Sequence, residues 1–266
     1  MATLTADVRE MVGEQIQYRD LLLQMTKRDL LLRYKQTVMG FGWATVMPLV
    51  NMAVFSVIFT RVAPIDVGIP YPLFAFCGLV AWNFFASSLK FASVSLSTNV
   101  PLVTKVYFPR EIFPISQVLV CLVDSAVAMA VLGILMAYYG IFSPETLVWL
   151  PLVVSVHIAL TLALAMLVAM ANLFFRDVKY LFDIALPVWM FATSVLYPVQ
   201  QVPGRAGLAM RLNPMTSIVD GYRDVLLFGH SPATPAFVAT GLASLVLLGA
   251  VWLTFHRAEF SFAENV

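Results

Sequence analysis

The densest reactive chemistry in this chain lies between two long apolar runs, where Lys105, Arg110 and Glu111 fall within seven residues and Pro101, Pro109 and Pro114 punctuate the stretch around them. Proline removes a backbone donor and disfavours helix in the residue before it. The segment is therefore expected to form a short helix from about Leu102 to Phe108, a break, and a new helix starting near Arg110. A second charged island, Arg176, Asp177 and Lys179, follows later in the chain. Three further ionisable residues sit inside apolar runs. Lys90 and Asp124 are candidates to pair, since an unpaired carboxylate in lipid costs about 2.5 to 3.5 kcal/mol, so Asp124 must face the bundle interior or be protonated. His157 is expected to be a packing residue rather than a proton carrier. None of the 13 glycines opens a G-x-x-x-x-G-K-[ST] phosphate loop, so the chain is not expected to hydrolyse ATP by itself. No zinc-ligand cluster and no nucleophile-base pair is legible, and no catalytic residue is assigned.

The elements that must carry these residues follow from composition. Of the 266 residues, 61% are hydrophobic and 12% charged, outside the range of soluble domains. A helix needs about 20 apolar residues to cross a ~30 Å hydrocarbon core. Runs nearly free of Asp, Glu, Lys and Arg predict six spans, at about 37–60, 70–98, 112–138, 149–174, 182–200 and 235–256. The runs are continuous and lack the ~10-residue alternation of membrane strands, so the fold class is an all-α integral membrane protein. The first 35 residues contain Asp7, Glu10, Glu14, Asp20 and Asp29 and no apolar core before Phe41, so no cleavable leader is expected. With the N-terminus inside, eleven basic residues (Arg9, Arg19, Lys27, Arg28, Arg33, Lys35, Lys105, Arg110, Arg176, Lys179 and Arg257) fall on the inner side. Four (Arg61, Arg205, Arg211 and Arg223) fall outside, which predicts both termini in the cytoplasm. The net charge of +1 gives no reason to expect nucleic acid as a partner. Cys77 and Cys121 lie in spans and are expected to be free thiols.

Residues 1–36 are expected to be cytoplasmic or interfacial. Over 15–36 the helical projection puts Tyr18, Leu21, Leu22, Met25 and Leu32 on one arc and Leu23, Leu30 and Tyr34 on another. Basic residues between the arcs suit a helix lying in the interface between lipid and protein, or one packing on a soluble partner. Gly40 and Gly42 loosen the turn into the bilayer, and Trp43 is an interfacial anchor. The second half of span two is crowded with polar side chains, from Ser87 and Ser88 through Lys90 to Asn99. These form either a channel wall or a packing face of small residues. Between spans five and six, residues 203–229 hold two apolar pieces too short to cross, expected as a re-entrant hairpin, with Asn213 capping a helix that Pro214 begins. Residues 258–266 form a cytoplasmic tail.

Four stretches together resemble the ABC-2 type permeases, the membrane subunits of bacterial ABC exporters: "RYKQTVMGFGWATVMPL", "LVTKVYFPREIFPIS", "NLFFRDVKYLFDIALPVWMFATSVLYPV" and "LNPMTSIVDGYRDVLL". Their wording is similar to the branch that exports O-antigen, teichoic acid and polyol phosphate. The resemblance implies a channel-forming transport subunit, not itself an enzyme, that moves a lipid-linked polysaccharide across the inner membrane. It implies a separate ABC ATPase in two copies, which would carry the ATP and Mg; no cofactor is expected in this chain. It also makes Lys105, Phe108, Arg110, Glu111, Arg176 and Asp177 the coupling contacts to that ATPase. An ABC-2 permease for a lipid or drug, and a membrane enzyme such as a lipid-linked glycosyltransferase, are the competing readings. Scattered acidic residues speak against the enzyme, and five Trp, nine Tyr and twenty Phe speak for a wide aromatic pathway. Six helices enclose little room for a hydrated polymer, so a homodimer is expected. The pathway is expected to be lined by Trp82, Phe85, Ser88, Lys90, Asp124, Trp189, Phe191 and Tyr197. Flat rings suit the apolar C–H faces of a sliding sugar, although any one of them could instead be a membrane-belt anchor or core filler. Phe84 and Phe85, neighbours on a helix, cannot both face the lumen.

Overall fold

A computed structural model describes residues 4–35, 40–105, 108–259 and 262, and among these it contains helices and their connections but no strand. Five stretches are long and apolar enough to cross a bilayer: Thr45–Val62, Tyr71–Ser95, Ile112–Tyr139, Leu147–Phe174 and Pro235–Ala258. They correspond to the helices α3 (Trp43–Val57, extended by a π turn), α4 (Tyr71–Ser95), α6 (Ile112–Tyr139), α7 (Leu150–Phe174) and α11 (Pro235–Ala258). Their ends obey local chemistry. Pro72 sits in the first turn of α4, Gly140 stops α6 at a φ of 67° that a side chain would resist, and the Thr234 hydroxyl accepts from the Phe237 N–H at 3.2 Å to start α11.

The fifth expected span departs from its boundaries. The run 182–200 is a helix α8 (Val178–Phe191) of 14 residues followed by irregular chain. At 1.5 Å per residue α8 rises about 21 Å, short of the ~30 Å core. Pro187 interrupts its hydrogen-bond ladder, and Pro198 biases Tyr197 away from helix. The carbonyls of Ser194 and Val195 turn instead to the Arg223 guanidinium. The chain then makes two short helices, α9 (Gly204–Arg211) and α10 (Pro214–Arg223), before α11.

α4 is the central element, packed by α3, α6, α7, α8 and α10. A helix apolar on all sides in its first half must be surrounded, and Leu73, Phe76, Leu79 and Phe85 are fully buried. A second core gathers at the Arg110 end, where Leu96, Phe108, Ile112, Phe113, Leu173, Val251 and Phe255 meet. Cys77 and Cys121 are buried free thiols.

The N-terminal region is two helices, α1 (Leu4–Gln17) and α2 (Arg19–Tyr34). Tyr18, Leu21, Leu22 and Met25 pack on the second core as their shared arc predicts. Leu32, assigned to the same arc, is instead 63% exposed. Beyond Met25 polar contacts to α6, described below, set the rotation of α2, and they turn Leu32 outward. Residues 36–39 of the predicted bilayer entry lie outside the described residues.

Candidate partner-docking end and substrate path

The charged island keeps the expected break at Pro109 but not the expected helix bounds: a six-residue helix α5 spans Val100–Lys105, residues 106 and 107 lie outside the described residues, Phe108 is not helical, and α6 starts at Ile112. Phe108 faces inward at 5% exposure and stacks obliquely on Phe113 at 5.5 Å. Glu111, placed by sequence among the coupling contacts, is also turned inward at 1% exposure, its Oε1 3.2 Å from His256 Nδ1 at the end of α11. Arg110 is half-buried; its guanidinium donates to the Glu259 carbonyl, and its backbone N–H donates to Glu259 Oε2 at 3.4 Å. Burial, reinforced by the neighbouring Glu111 carboxylate, pushes Glu259 up to about 7. The Lys105 side chain lies outside the described residues.

Arg176 and Asp177 occupy the turn between α7 and α8 and are exposed. The turn is held from beneath, because buried Asn172 accepts the Lys179 backbone N–H on its Oδ1 at 3.1 Å. The "NLFFRD" run thus has one buried polar residue that shapes the turn and two charged residues displayed on it. Arg110, Arg176 and Asp177 share one end of the bundle, and Phe108 and Glu111 lie under that surface.

α2 crosses this end as a strap. Asp29 accepts from Gln117 Nε2 at 2.6 Å and from the Ser116 hydroxyl at 3.2 Å. Arg28 donates to Asn99 Oδ1 at 3.1 Å. Arg33 pairs with Asp124 at 2.6 Å and lies 3.9 Å over the Phe91 ring, and the Tyr34 hydroxyl also donates to Asp124. Asp124 therefore does not pair with Lys90. Lys90 pairs with Asp183 of α8 at 3.0 Å. Sequence distance hid this: the two true partners of Asp124 come from a helix outside the spans.

The predicted aromatics meet in part. Trp82, Phe85 and Trp189 form one cluster, with ring centroids at 5.5 Å (Trp82 to Phe85), 5.1 Å (Phe85 to Trp189) and 6.3 Å (Trp82 to Trp189). Phe84 points the other way, edge-on to His157 at 4.8 Å, as the helical spacing requires. His157 is buried beside the Tyr222 hydroxyl at 3.3 Å, a packing position. Trp82 and Lys90 border a groove of ≈ 330 Å³ between α3, α4 and α8, whereas Phe85 and Ser88 are wholly buried behind it. Asp124 borders a separate pocket of ≈ 260 Å³ between α3, α4 and α6. Asn51 of α3 and Asn83 and Ser87 of α4 line both spaces, whereas Ser88, Ser93 and Ser95 in the polar half of α4 are buried in packing. Phe191 is 53% exposed, and the Tyr197 hydroxyl donates back to the Phe191 carbonyl.

At the opposite end two residues organise the short helices. Asn213 caps α10 through the Met215 N–H at 3.1 Å, as its place before Pro214 predicts. It also accepts from Trp189 Nε1 at 3.2 Å and donates to the Ala192 carbonyl at 3.1 Å, which fixes the end of α8. Arg223, counted by sequence among outward charges, is 2% exposed. It donates to the carbonyls of Ser194, Val195 and Phe74, and its guanidinium lies 3.5 Å over the Phe74 ring. Sequence reading missed it because a lone Arg in a short charged loop looks solvated. The one signal was Pro198, which ends helix near the Ser194 and Val195 carbonyls and leaves them in need of a donor.

Long apolar helices around a buried central helix, with a charged end built on Pro109 and the Asn172 turn, define a multi-pass membrane protein. Residues 20–227 match the family described as ABC-2 type transporter, and the chain belongs to that family. It is 32% identical to the O-antigen export system permease protein RfbA of Myxococcus xanthus, over 96% of this chain and 99% of that protein. It is 28% identical to the O-antigen export system permease protein RfbA of Klebsiella pneumoniae, over 92% of this chain and 94% of that protein. The polysialic acid transport protein KpsM of Escherichia coli is 21% identical over 76% of this chain and 80% of that protein.

Proposed function

We propose that this chain is the membrane-spanning permease of an ABC exporter that carries a lipid-linked surface polysaccharide, of the O-antigen class, across the bacterial inner membrane. The observation that carries the reading is end-to-end similarity to a permease of O-antigen export, at 32% identity over 96% of the chain. ATP and Mg belong to a separate ATPase subunit, present in two copies. Docking uses the end that displays Arg110, Arg176 and Asp177, with Lys105 beside them. Phe108 and Glu111 act from below by holding the docking segment to α7 and α11. The excess of Lys and Arg at this end makes it cytoplasmic, with both termini on the same side.

The path runs along the groove between α3, α4 and α8. One chain offers ≈ 330 Å³ there, too little for a hydrated polymer, and α8 leaves Leu181, Ile184, Val188 and Phe191 exposed along one side. Two copies facing each other enlarge the space and cover those side chains, with α8 completing the sixth crossing together with residues 192–200. Trp82, Trp189, Phe191 and Tyr197 supply flat surfaces for sugar C–H faces, Phe85 backs them, and Lys90 with Asp183, together with Asn83 and Ser87, meets hydroxyl edges. Ser88 and Asp124 serve the wall by packing and by anchoring α2. Weak, repeated contacts suit movement, because strong ones would trap the polymer.

Deleting the gene in its native cell tests the reading. Surface polysaccharide is expected to disappear while lipid-linked polymer accumulates inside, with wild type restoring export and an Arg110→Glu, Arg176→Glu double variant failing despite normal membrane levels. Unchanged surface polysaccharide in the deletion strain would overturn it.

A further inference from the structure

Glu111 begins α6, His256 lies in the last turn of α11 and Glu259 follows that helix, yet one ligand atom from each lies within 4.8 Å of the others. The three residues are 1%, 7% and 3% exposed. Glu111 Oε1 is engaged with His256, but Glu111 Oε2 is shielded from solvent and has no hydrogen-bond partner among the described residues. A buried acceptor left unsatisfied costs about 1 to 3 kcal/mol, and more when charged. Glu14 of α1 is near enough to feel both Glu111 and His256, adding a third carboxylate to the local field. On the other side Arg110 directs its guanidinium to the Glu259 carbonyl oxygen and its backbone N–H to the Glu259 carboxylate.

We propose that Glu111, His256 and Glu259 form a binding site for one divalent metal ion of the zinc or manganese class, which clasps the start of α6 to the end of α11. The donor set decides the class. One imidazole nitrogen with two carboxylates suits Zn²⁺ or Mn²⁺, whereas Ca²⁺ and Mg²⁺ favour oxygen ligands throughout. Metal–ligand bonds near 2.1 Å place tetrahedral ligand atoms about 3.4 Å apart. The Glu111 Oε1–His256 Nδ1 separation of 3.2 Å already meets this, and the Glu259 carboxylate, within 4.8 Å of both, has to move closer to close the set. Water would complete the coordination. Bound by both Glu111 oxygens, the ion would give Oε2 the partner it lacks and would offset the repulsion between the two buried carboxylates. Under the function proposed above, the clasp would pass a push at the docking segment to both helices at once, but the site stands on its own geometry.

The test uses the full chain in lipid nanodiscs, stripped with a chelator and titrated with Zn²⁺ or Mn²⁺ against a chromophoric competitor, with Mg²⁺ as the control. One ion per chain is expected, with micromolar or tighter affinity for Zn²⁺ or Mn²⁺ and none for Mg²⁺. His256→Gln and Glu259→Gln should each weaken binding by at least about tenfold, and the ion should raise the unfolding midpoint of wild type but not of these variants. His230→Gln, at the opposite end, should bind as wild type. Absence of saturable uptake by wild type overturns the site, and so does uptake that both clasp variants retain or that His230→Gln abolishes. Because the readouts are binding and stability, failure of the clasp and failure of the export function are separately visible.

Discussion

Replacing Arg33 by alanine removes the charged partner of Asp124 and should release the α2 strap. The pair is neither exposed nor sealed, with side chains 18% and 19% exposed and N to O at 2.6 Å. A fully exposed pair is worth about 0 to 1 kcal/mol, and breaking a buried one costs about 3 to 5. A carboxylate stranded in a span costs about 2.5 to 3.5 kcal/mol by insertion scales, although the Tyr34 hydroxyl still donates to it. We therefore expect a local loss of about 2 to 3 kcal/mol, which is roughly 30- to 150-fold in the docked-to-released ratio of α2. Asp124→Ala should cost less, because Arg33 keeps the Phe91 ring and can extend its long side chain toward water. Hydrogen exchange over residues 19–34 reads the ratio directly. Faster exchange confined to α2, larger for Arg33→Ala than for Asp124→Ala, is the predicted pattern. Exchange within about threefold of wild type in Arg33→Ala would refute the strap, since the pair would then carry no more than a surface pair does.

Gly78→Ala should destabilise the chain by about 1 to 3 kcal/mol through overpacking, because its Cβ would lie 2.5 Å from the Val195 carbonyl oxygen and 2.7 Å from Arg223 Nη2. Gly133→Ala, which meets nothing within 4 Å, is the thermal-unfolding control and should be neutral or slightly stabilising. Arg223→Met should strand the carbonyls of Ser194 and Val195, and is expected to lower yield of folded protein more than Arg211→Met does. Asn213→Ala loses the α10 cap and the Trp189 anchor together, a cost of about 1 to 2 kcal/mol measurable as a lower unfolding midpoint, with Asp restoring most of the cap.

Much of the architecture was legible because lipid imposes one simple demand: a spanning helix must be long and nearly uncharged. α4, α6, α7 and α11 begin and end within a few residues of their charge-free runs for that reason. The 182–200 run met the same demand and still failed to form one continuous helix. Its fate was set by Pro187, Pro198 and an Arg223 that arrives later in the chain to take two of its carbonyls. The same limit governed the site. The break at Pro109 and the charged island at Arg176 and Asp177 are local, and both were readable. The inward turn of Glu111 toward His256 and the pairing of Asp124 with Arg33 depend on contacts between distant segments, to which periodicity is blind. Phe84 and Phe85 lie between these cases: spacing required them to diverge, and only packing decided that Phe85 joins Trp82 and Trp189.

Reconstitution tests the central claim most directly: the full chain with its ATPase subunit in sealed proteoliposomes, loaded with lipid-linked polysaccharide on the ATPase side. ATP should drive the polymer to the opposite side, where a glycan-specific probe can reach it, and replacing Trp82, Trp189 and Tyr197 together by alanine should slow movement with ATPase assembly intact. Polymer that stays on the loading side while the assembled complex hydrolyses ATP would contradict the assignment of this chain as the export path.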